Sequence, residues 1–390
     1  MSKPLPSAPT ATVAKDESGA LFSAPGDSIL PNSCRLVLPP VIHAVLGEEV
    51  NIYFKNITLA PEGKTYLFDV ECAQGRQYRE RWTLIPEATG SVPWKVEVRD
   101  LEDSVLASGS TVIKVARADA GAGHSIRFLG LGDSLTAAGV YTEELRTLFA
   151  RPGNPALILT GSHHSEGTRE GNLHEGYGGW KFIDFLEKFE PLPKPGSTVR
   201  QSSPFVFNEN GQPVLDVARY VRESLKGEQP DFVFVFLGTN DLFTFAEAHR
   251  ETAVKKIADH AGRLLKEIRT AMPAAKIGLS GPVPPSDQDA FAENYGSQYT
   301  AWGCRKSQHR LAEELQQRFS GLEREGIYYV PLLTNFDADS DYIIRCDLPA
   351  NARAHRTVSR AMNAVHPDQP GYQHWADTIY AWMKNLLDET

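Results

Sequence analysis

Ile126-Arg-Phe-Leu-Gly-Leu-Gly-Asp-Ser-Leu-Thr136 is the stretch that decides the fold of this chain. Ile126 to Leu131 is an apolar run of strand type, and it ends at Gly132. From Tyr141 through Leu145, Leu148 and Phe149 the apolar spacing is that of an amphipathic helix, so the period changes from strand to helix around Ser134. A serine at such a junction has an exposed hydroxyl next to unpaired N–H groups. Those are two parts of an acyl-transfer site, nucleophile and oxyanion hole. Gly-Asp-Ser before a helix is also ordinary N-cap chemistry. The partners further along the chain decide between the two.

The chain of 390 residues has material for two or three domains of ~100–200 residues each. Hydrophobic residues at 41% and charged residues at 23% are the proportions of a globular protein. A net charge of −9 without a basic run argues against nucleic acid or an anionic membrane as partner. No apolar run approaches the ~18 residues of a membrane span. Met1 to Thr10 lacks the apolar core of a secretion signal, which leaves a cytoplasmic protein or one whose leader has been removed. Cys34, Cys72, Cys304 and Cys346 show no C-x-x-C spacing. They could pair within each half, Cys34 with Cys72 and Cys304 with Cys346, or stay free as buried thiols.

Residues 1–27 are rich in Pro, Ala and Ser without periodicity and read as a flexible leader. Residues 28–118 carry short β runs separated by turn residues: Arg35–Leu38, Glu49–Phe54, Thr65–Cys72, Tyr78–Leu84, Trp94–Val98 and Thr111–Val115. That spacing predicts a small antiparallel β-sandwich of immunoglobulin or jelly-roll type. Tyr53, Phe54, Trp82 and Trp94 fit its core better than a glycan platform. The Gly/Ala-rich Arg117–His124 marks a boundary. Over residues 119–390 strand runs (Ile126–Leu131, Ala156–Thr160, Phe232–Leu237, Lys276–Ser280, Ile327–Val330) alternate with helical stripes at Val254–Ile268, Leu311–Leu322 and Tyr372–Leu387. Near-continuous apolar strands such as Phe232-Val-Phe-Val-Phe-Leu237 are buried on both faces, which predicts a parallel sheet in a three-layer α/β/α domain.

Ligands of such sheets lie beyond the carboxyl ends of the strands. Gly132-Asp-Ser134, Leu173-His-Glu-Gly-Tyr-Gly-Gly-Trp180, Gly238-Thr-Asn-Asp241 and Asn363-Ala-Val-His-Pro367 fall there or just before the last helix. They supply an alcohol, a base and hydrogen-bond donors. In this order the chain resembles the SGNH (GDSL-type) hydrolases. The resemblance implies Ser134 as nucleophile, His366 as base, and Gly179 and Asn240 as oxyanion donors. The G-x-S-x-G elbow of the α/β-hydrolases is absent, since position 136 is Thr. One departure stands out. The family commonly has Asp three residues before the histidine, and this chain has Asn363. Either another acid orients His366 (Asp337, Asp339, Asp341 and Asp368 are near in sequence), or a carbonyl or replacement acceptor does, or activity is weak or absent.

The sandwich followed by a His-Glu-Gly-Tyr-Gly-Gly-Trp loop further resembles bacterial carbohydrate esterases of the acetylxylan type. This implies an acetylated polysaccharide or oligosaccharide as substrate and an extracellular or periplasmic place of action. A lysophospholipase or thioesterase of the same family, and a carbohydrate-binding protein with a decayed site, are the competing expectations. Tyr177 and Trp180, beside the glycine loop, are the candidate substrate contacts. No cofactor is expected. His163, His164, His174 and Glu175 have irregular spacing and no H-E-x-x-H, so no metal is expected either.

Overall fold

The structure, a computed structural model, describes residues 34–59, 65–192, 194 and 200–389. The expected leader, residues 1–27, lies outside the described residues. The organising sheet begins with β1 (Ser125–Gly132), β2 (Ala156–Thr160) and β3 (Leu173–Gly176). It continues with β4 (Phe232–Phe236), β5 (Lys276–Ser280) and β6 (Ile327–Tyr329). Strands β4, β5 and β6 follow β1 to one side, all parallel. On the other side β2 pairs with residues 125–129 of β1, and β3 takes over at residues 131–132. The ends of β1, β3 and β4 therefore come together, where the order of the sheet reverses direction.

Alternation along the strands explains the three layers. Phe232, Phe234 and Phe236 of β4 face a core containing Tyr141, Leu145, Trp375 and Trp382. These belong to helices α1 (Val140–Phe149) and α4 (Gln369–Asp388). Val233 and Val235 point the other way, into a core with Leu264 and Leu315. Those lie on α2 (Arg250–Ala271) and α3 (Ala301–Phe319). A run apolar at every position is what a strand covered on both faces requires. None of these helices is long and apolar enough to cross a membrane, and the same holds throughout the described residues.

The N-terminal strands form a four-stranded sheet and a three-stranded sheet around Trp82 and Trp94, whose rings meet edge to face at 6.1 Å. The pairs within these sheets are antiparallel, apart from one. Val41–Val45, unread in the sequence because Pro39-Pro40 and Gly47 crowd it, runs parallel to Val105–Ala116. Tyr53, Phe54, Trp82 and Trp94 are all buried. Of the two alternatives for the cysteines, free thiols hold: Cys34, Cys72, Cys304 and Cys346 are all unpaired with one another. Burial pushes Cys34 up to about 11 and Cys304 up to about 12, so both stay protonated and unreactive near neutrality.

These sheets are fastened to the three-layer α/β/α part by polar contacts. Arg305 of α3 donates to the carbonyls of Lys55, Asn56 and Thr58 at 2.6, 3.0 and 2.8 Å. The single helical turn Phe54–Ile57 ends there, and its last carbonyls have no intrahelical partner. Asn56 donates to the carbonyl of Leu333 at 2.8 Å, and Asn385 of α4 donates to that of Ala44 at 2.9 Å.

Candidate active site

Ser134 opens a one-turn helix, Ser134–Ala137, immediately after β1. Asp133 caps that turn by accepting from the Leu135 N–H at 2.9 Å. Only glycine fits at position 132, where a Cβ would lie 2.0 Å from Thr136 Oγ1 and 2.7 Å from the Phe236 carbonyl oxygen. The strand can therefore turn tightly into the helix and leave the Ser134 side chain half-exposed.

His366 lies on a loop held from both sides. Pro367 bridges Tyr342, and the Ala364 N–H donates to Asn294 Oδ1 at 2.8 Å. From this loop His366 Nε2 meets Ser134 Oγ at 2.8 Å, across 232 positions of sequence. The orientation of the ring follows from Asn363. Its Oδ1 accepts the backbone N–H groups of Val365 at 3.1 Å and His366 at 2.8 Å. Two converging donors identify that atom as the oxygen, and it faces His366 Nδ1 at 3.2 Å. Nδ1 therefore carries the hydrogen, and Nε2 presents its lone pair to the serine hydroxyl. That is the tautomer a general base needs. Burial lowers the pKa of His366, so the neutral imidazole prevails at neutral pH.

The other acids considered for this task are engaged elsewhere. Asp368 is the N-cap of α4 and accepts from the Gln369 N–H at 2.8 Å. Asp341 pairs with His374 Nδ1 at 2.7 Å. Asp337 accepts from Ser340, and Asp339 pairs with Lys55. Asp368 as a His-orienting group is thus corrected: its carboxylate stabilises the helix start.

The glycine loop is tied to the end of β1 by the Tyr177 N–H, which donates to the Gly132 carbonyl at 3.0 Å. Gly179 is exposed at φ +78°, a conformation side chains resist, and turns the loop back. No protein acceptor takes the backbone N–H of Gly179 or of Ser134 among the described residues. Asn240 follows β4, and its amide N–H groups are both engaged, to Asp133 Oδ2 at 3.1 Å and the Trp180 carbonyl at 3.1 Å. Asp133, readable in sequence only as a turn residue, thus ties the serine turn to the Asn240 loop. No sequence signal marks that link. Burial pushes the Asp133 carboxyl up to about 7.

Tyr177 and Trp180 do not form an exposed platform, which corrects the substrate-contact expectation. They are 4% and 1% exposed, and their rings meet at a 38° tilt with centroids 4.4 Å apart. Their place is the wall under the loop, where aromatic area counts toward the core. Beneath them Glu175 is enclosed. It accepts from the Ser162 N–H at 2.5 Å, Ser162 Oγ at 3.1 Å, Tyr220 Oη at 2.6 Å and the Tyr177 hydroxyl. His174 Nδ1 accepts from the Gly176 N–H at 3.0 Å, so its Nε2–H faces Ser165 Oγ at 2.8 Å and cannot take that serine's proton. Both residues are spent on structure. No group of three or more His, Cys, Asp or Glu arranged to hold a metal occurs among the described residues.

Asp241, beside this site, is 3% exposed, and its Oδ2 has no partner among the described residues. Burial pushes its carboxyl up to about 7. Between the ordinary carboxylate range and pH 7 the folded chain holds a proton that the unfolded chain has released. Stability therefore falls as pH rises through that window. Asp241→Asn keeps the shape and removes the titration. Its loss of stability between pH 4 and 7 is expected to be smaller than the parent's by roughly 1–3 kcal/mol, read from unfolding at each pH. Parallel curves for the two proteins would refute this account of Asp241.

The site sits at the strand ends of a three-layer sheet with an alcohol, a base and amides that have no protein acceptor among the described residues. Several solved structures are similar in fold. A family 3 carbohydrate esterase of Clostridium thermocellum is 18% identical, over 67% of this chain and 97% of that one, with a TM-score of 0.41. A carbohydrate esterase family 3 protein from Talaromyces cellulolyticus is 18% identical over 68% and 99%, with a TM-score of 0.38. A carbohydrate acetylesterase from Sinorhizobium meliloti is 14% identical over 67% and 100%, at 0.37. A comparison with curated proteins gives no match. The assignment rests on the family model, which covers residues 131–374, more than half of the chain and all four sequence blocks. The chain belongs to the GDSL-like lipase/acylhydrolase family.

Proposed function

We propose that this chain is a serine esterase acting on acetyl or other short acyl esters of a plant cell-wall polysaccharide or its oligosaccharides. Membership of the family makes it a carboxylic ester hydrolase. The observation that carries the mechanism is the 2.8 Å contact between Ser134 Oγ and His366 Nε2, in the tautomer dictated by Asn363. Ser134 Oγ attacks the ester carbonyl carbon as Nε2 takes its proton. The oxyanion forms opposite the free N–H groups of Ser134 and Gly179, and one N–H of Asn240 turns to it from its resting partner. His366 returns the proton to the leaving alcohol as the C–O bond breaks, leaving acyl-Ser134. A water deprotonated by His366 then frees the acid and restores the serine.

One oxyanion donor is worth about 10²–10³ in turnover, so Asn240→Ala is expected to lower kcat by that factor. Full activity in that variant would remove Asn240 from the mechanism. Acetate release from acetylated xylan, set against release from a soluble aryl acetate and from longer acyl esters, tests the substrate. A preference for long chains would favour a lysophospholipase or thioesterase. A polymeric wall substrate goes with an extracellular or periplasmic place of action. Asn363 in the acid position supports one rival, a carbohydrate-binding protein without turnover. It predicts glycan binding and no acetate from any ester.

A further inference from the structure

We infer that residues 344–361 form a binding arm for an acidic, uronate-bearing stretch of polysaccharide. The inference names the substrate class for the esterase proposed above, and its binding test does not depend on turnover.

The arm is an antiparallel pair, Ile344–Pro349 with Thr357–Ala361, in register Ile344↔Ala361 and Leu348↔Val358. An isolated two-stranded hairpin is marginal in water, and this one buries little of itself. In its first strand every residue but Leu348 is exposed. It is pinned at the base, where Ala361 and Val365 pack against Ala290, Phe291 and Tyr295. The chain then runs straight from Ala361 to Asn363 and His366. An element so placed and so exposed adds little to the core. Its contribution lies at its surface.

That surface is basic in an acidic protein. Arg345, Arg353, Arg356 and Arg360 stand against Asp347 alone, while the whole chain carries −9. Arg345 is matched by Asp347 at 2.9 and 2.8 Å. Arg360 lies 3.8 Å from Asp289. The exposed Arg353 and Arg356 make no side-chain hydrogen bond or ion pair among the described residues, so the turn end of the arm carries two guanidinium groups free to bind an anion. Guanidinium groups take carboxylates in bidentate pairs, and carboxylates are the charge a polysaccharide carries in its uronate units. Five residues of strand, at ~3.3 Å each, set these arginines roughly 16 Å from the base of the arm, a length several consecutive sugars would cover. A phosphodiester chain would meet the same arginines, and the DNA arm of the test below separates the two sources.

The test uses the full chain carrying Ser134→Ala, run through native gels containing de-esterified polygalacturonate, neutral xylan or single-stranded DNA. Retardation is expected with polygalacturonate, is lost at about 0.5 M salt, where exposed charges are screened, and is lost in Arg353→Ala/Arg356→Ala. In the otherwise wild-type enzyme the same pair of substitutions should raise KM for acetylated polygalacturonate about five- to tenfold, with kcat and aryl acetate turnover unchanged. Equal retardation by xylan, none by polygalacturonate, stronger retardation by DNA, or an unaltered double variant would each overturn the arm's role. Failure of the esterase reading would show separately, as an absence of aryl acetate hydrolysis with the gel result intact.

Discussion

Ser134→Ala is expected to lower acetate release from a soluble aryl acetate by at least ~10⁴-fold, since removal of a serine nucleophile abolishes the acyl-enzyme route. The variant keeps the Asp133 cap and the β1 turn, because neither uses the hydroxyl: Leu135 donates to the Asp133 carboxylate, and among the described residues Ser134 Oγ meets only His366. Thermal stability should change by less than about 1 kcal/mol, as for a half-exposed side chain outside the core. A folded Ser134→Ala protein that still turns over the ester at the parent rate would place the chemistry elsewhere in the molecule.

The second large effect is a gain. Asn363 Oδ1 gives His366 the correct tautomer but carries no charge to stabilise the imidazolium that, in the proposed mechanism, forms when Ser134 loses its proton. Asn363→Asp preserves the two backbone N–H contacts and supplies that charge. Its kcat/KM is expected to rise roughly 10- to 100-fold, less than the ~10⁴ lost when the reverse exchange in a serine protease also gives the wrong tautomer. The pH profile provides a second readout. Burial alone lowers the pKa of His366 in the parent, so its acid limb should lie below the ordinary histidine value. A carboxylate beside Nδ1 favours the charged ring and raises that pKa, so the acid limb in Asn363→Asp should move to higher pH. Asn363→Ala, which frees the ring, should lose activity without that shift. If Asn363→Asp is slower than the parent and its limb does not move, the amide is not standing in for the acid.

The sequence made these residues visible to different degrees, for physical reasons. Strands β1, β4 and β5 are apolar runs whose two-sided burial leaves a direct trace in composition, so the positions after them could be inspected without coordinates. Strand β3 left no such trace. Leu173-His-Glu-Gly176 reads as polar, and it is buried because Glu175 is satisfied by hydroxyls from Tyr177 and Tyr220, the latter 45 positions away. The Asn363 substitution was plain, but its meaning depends on which end of an amide faces an imidazole, and only the backbone donors of Val365 and His366 decide that. Tyr177 and Trp180 had the right address beside the loop, yet which way a ring faces depends on packing from elements distant in sequence. Scattered arginines between 345 and 360 make no basic run. A hairpin gathers them onto one arm.

Arg305 bears on how such a protein could be assembled in evolution or in the laboratory. The hydrolase half does not merely adjoin the N-terminal strands; it borrows three carbonyls from them. Removing the partners of a charge withdrawn from water typically costs ~3–5 kcal/mol, a large part of the stability of an ordinary fold. A GDSL-type half grafted behind a foreign sandwich would keep the Gln308 acceptor within α3 but would need new carbonyls to meet the rest of that guanidinium. The chain looks like two interchangeable parts on a string, but the two halves have been fitted to each other, and shuffling them means changing both sides of the seam at once.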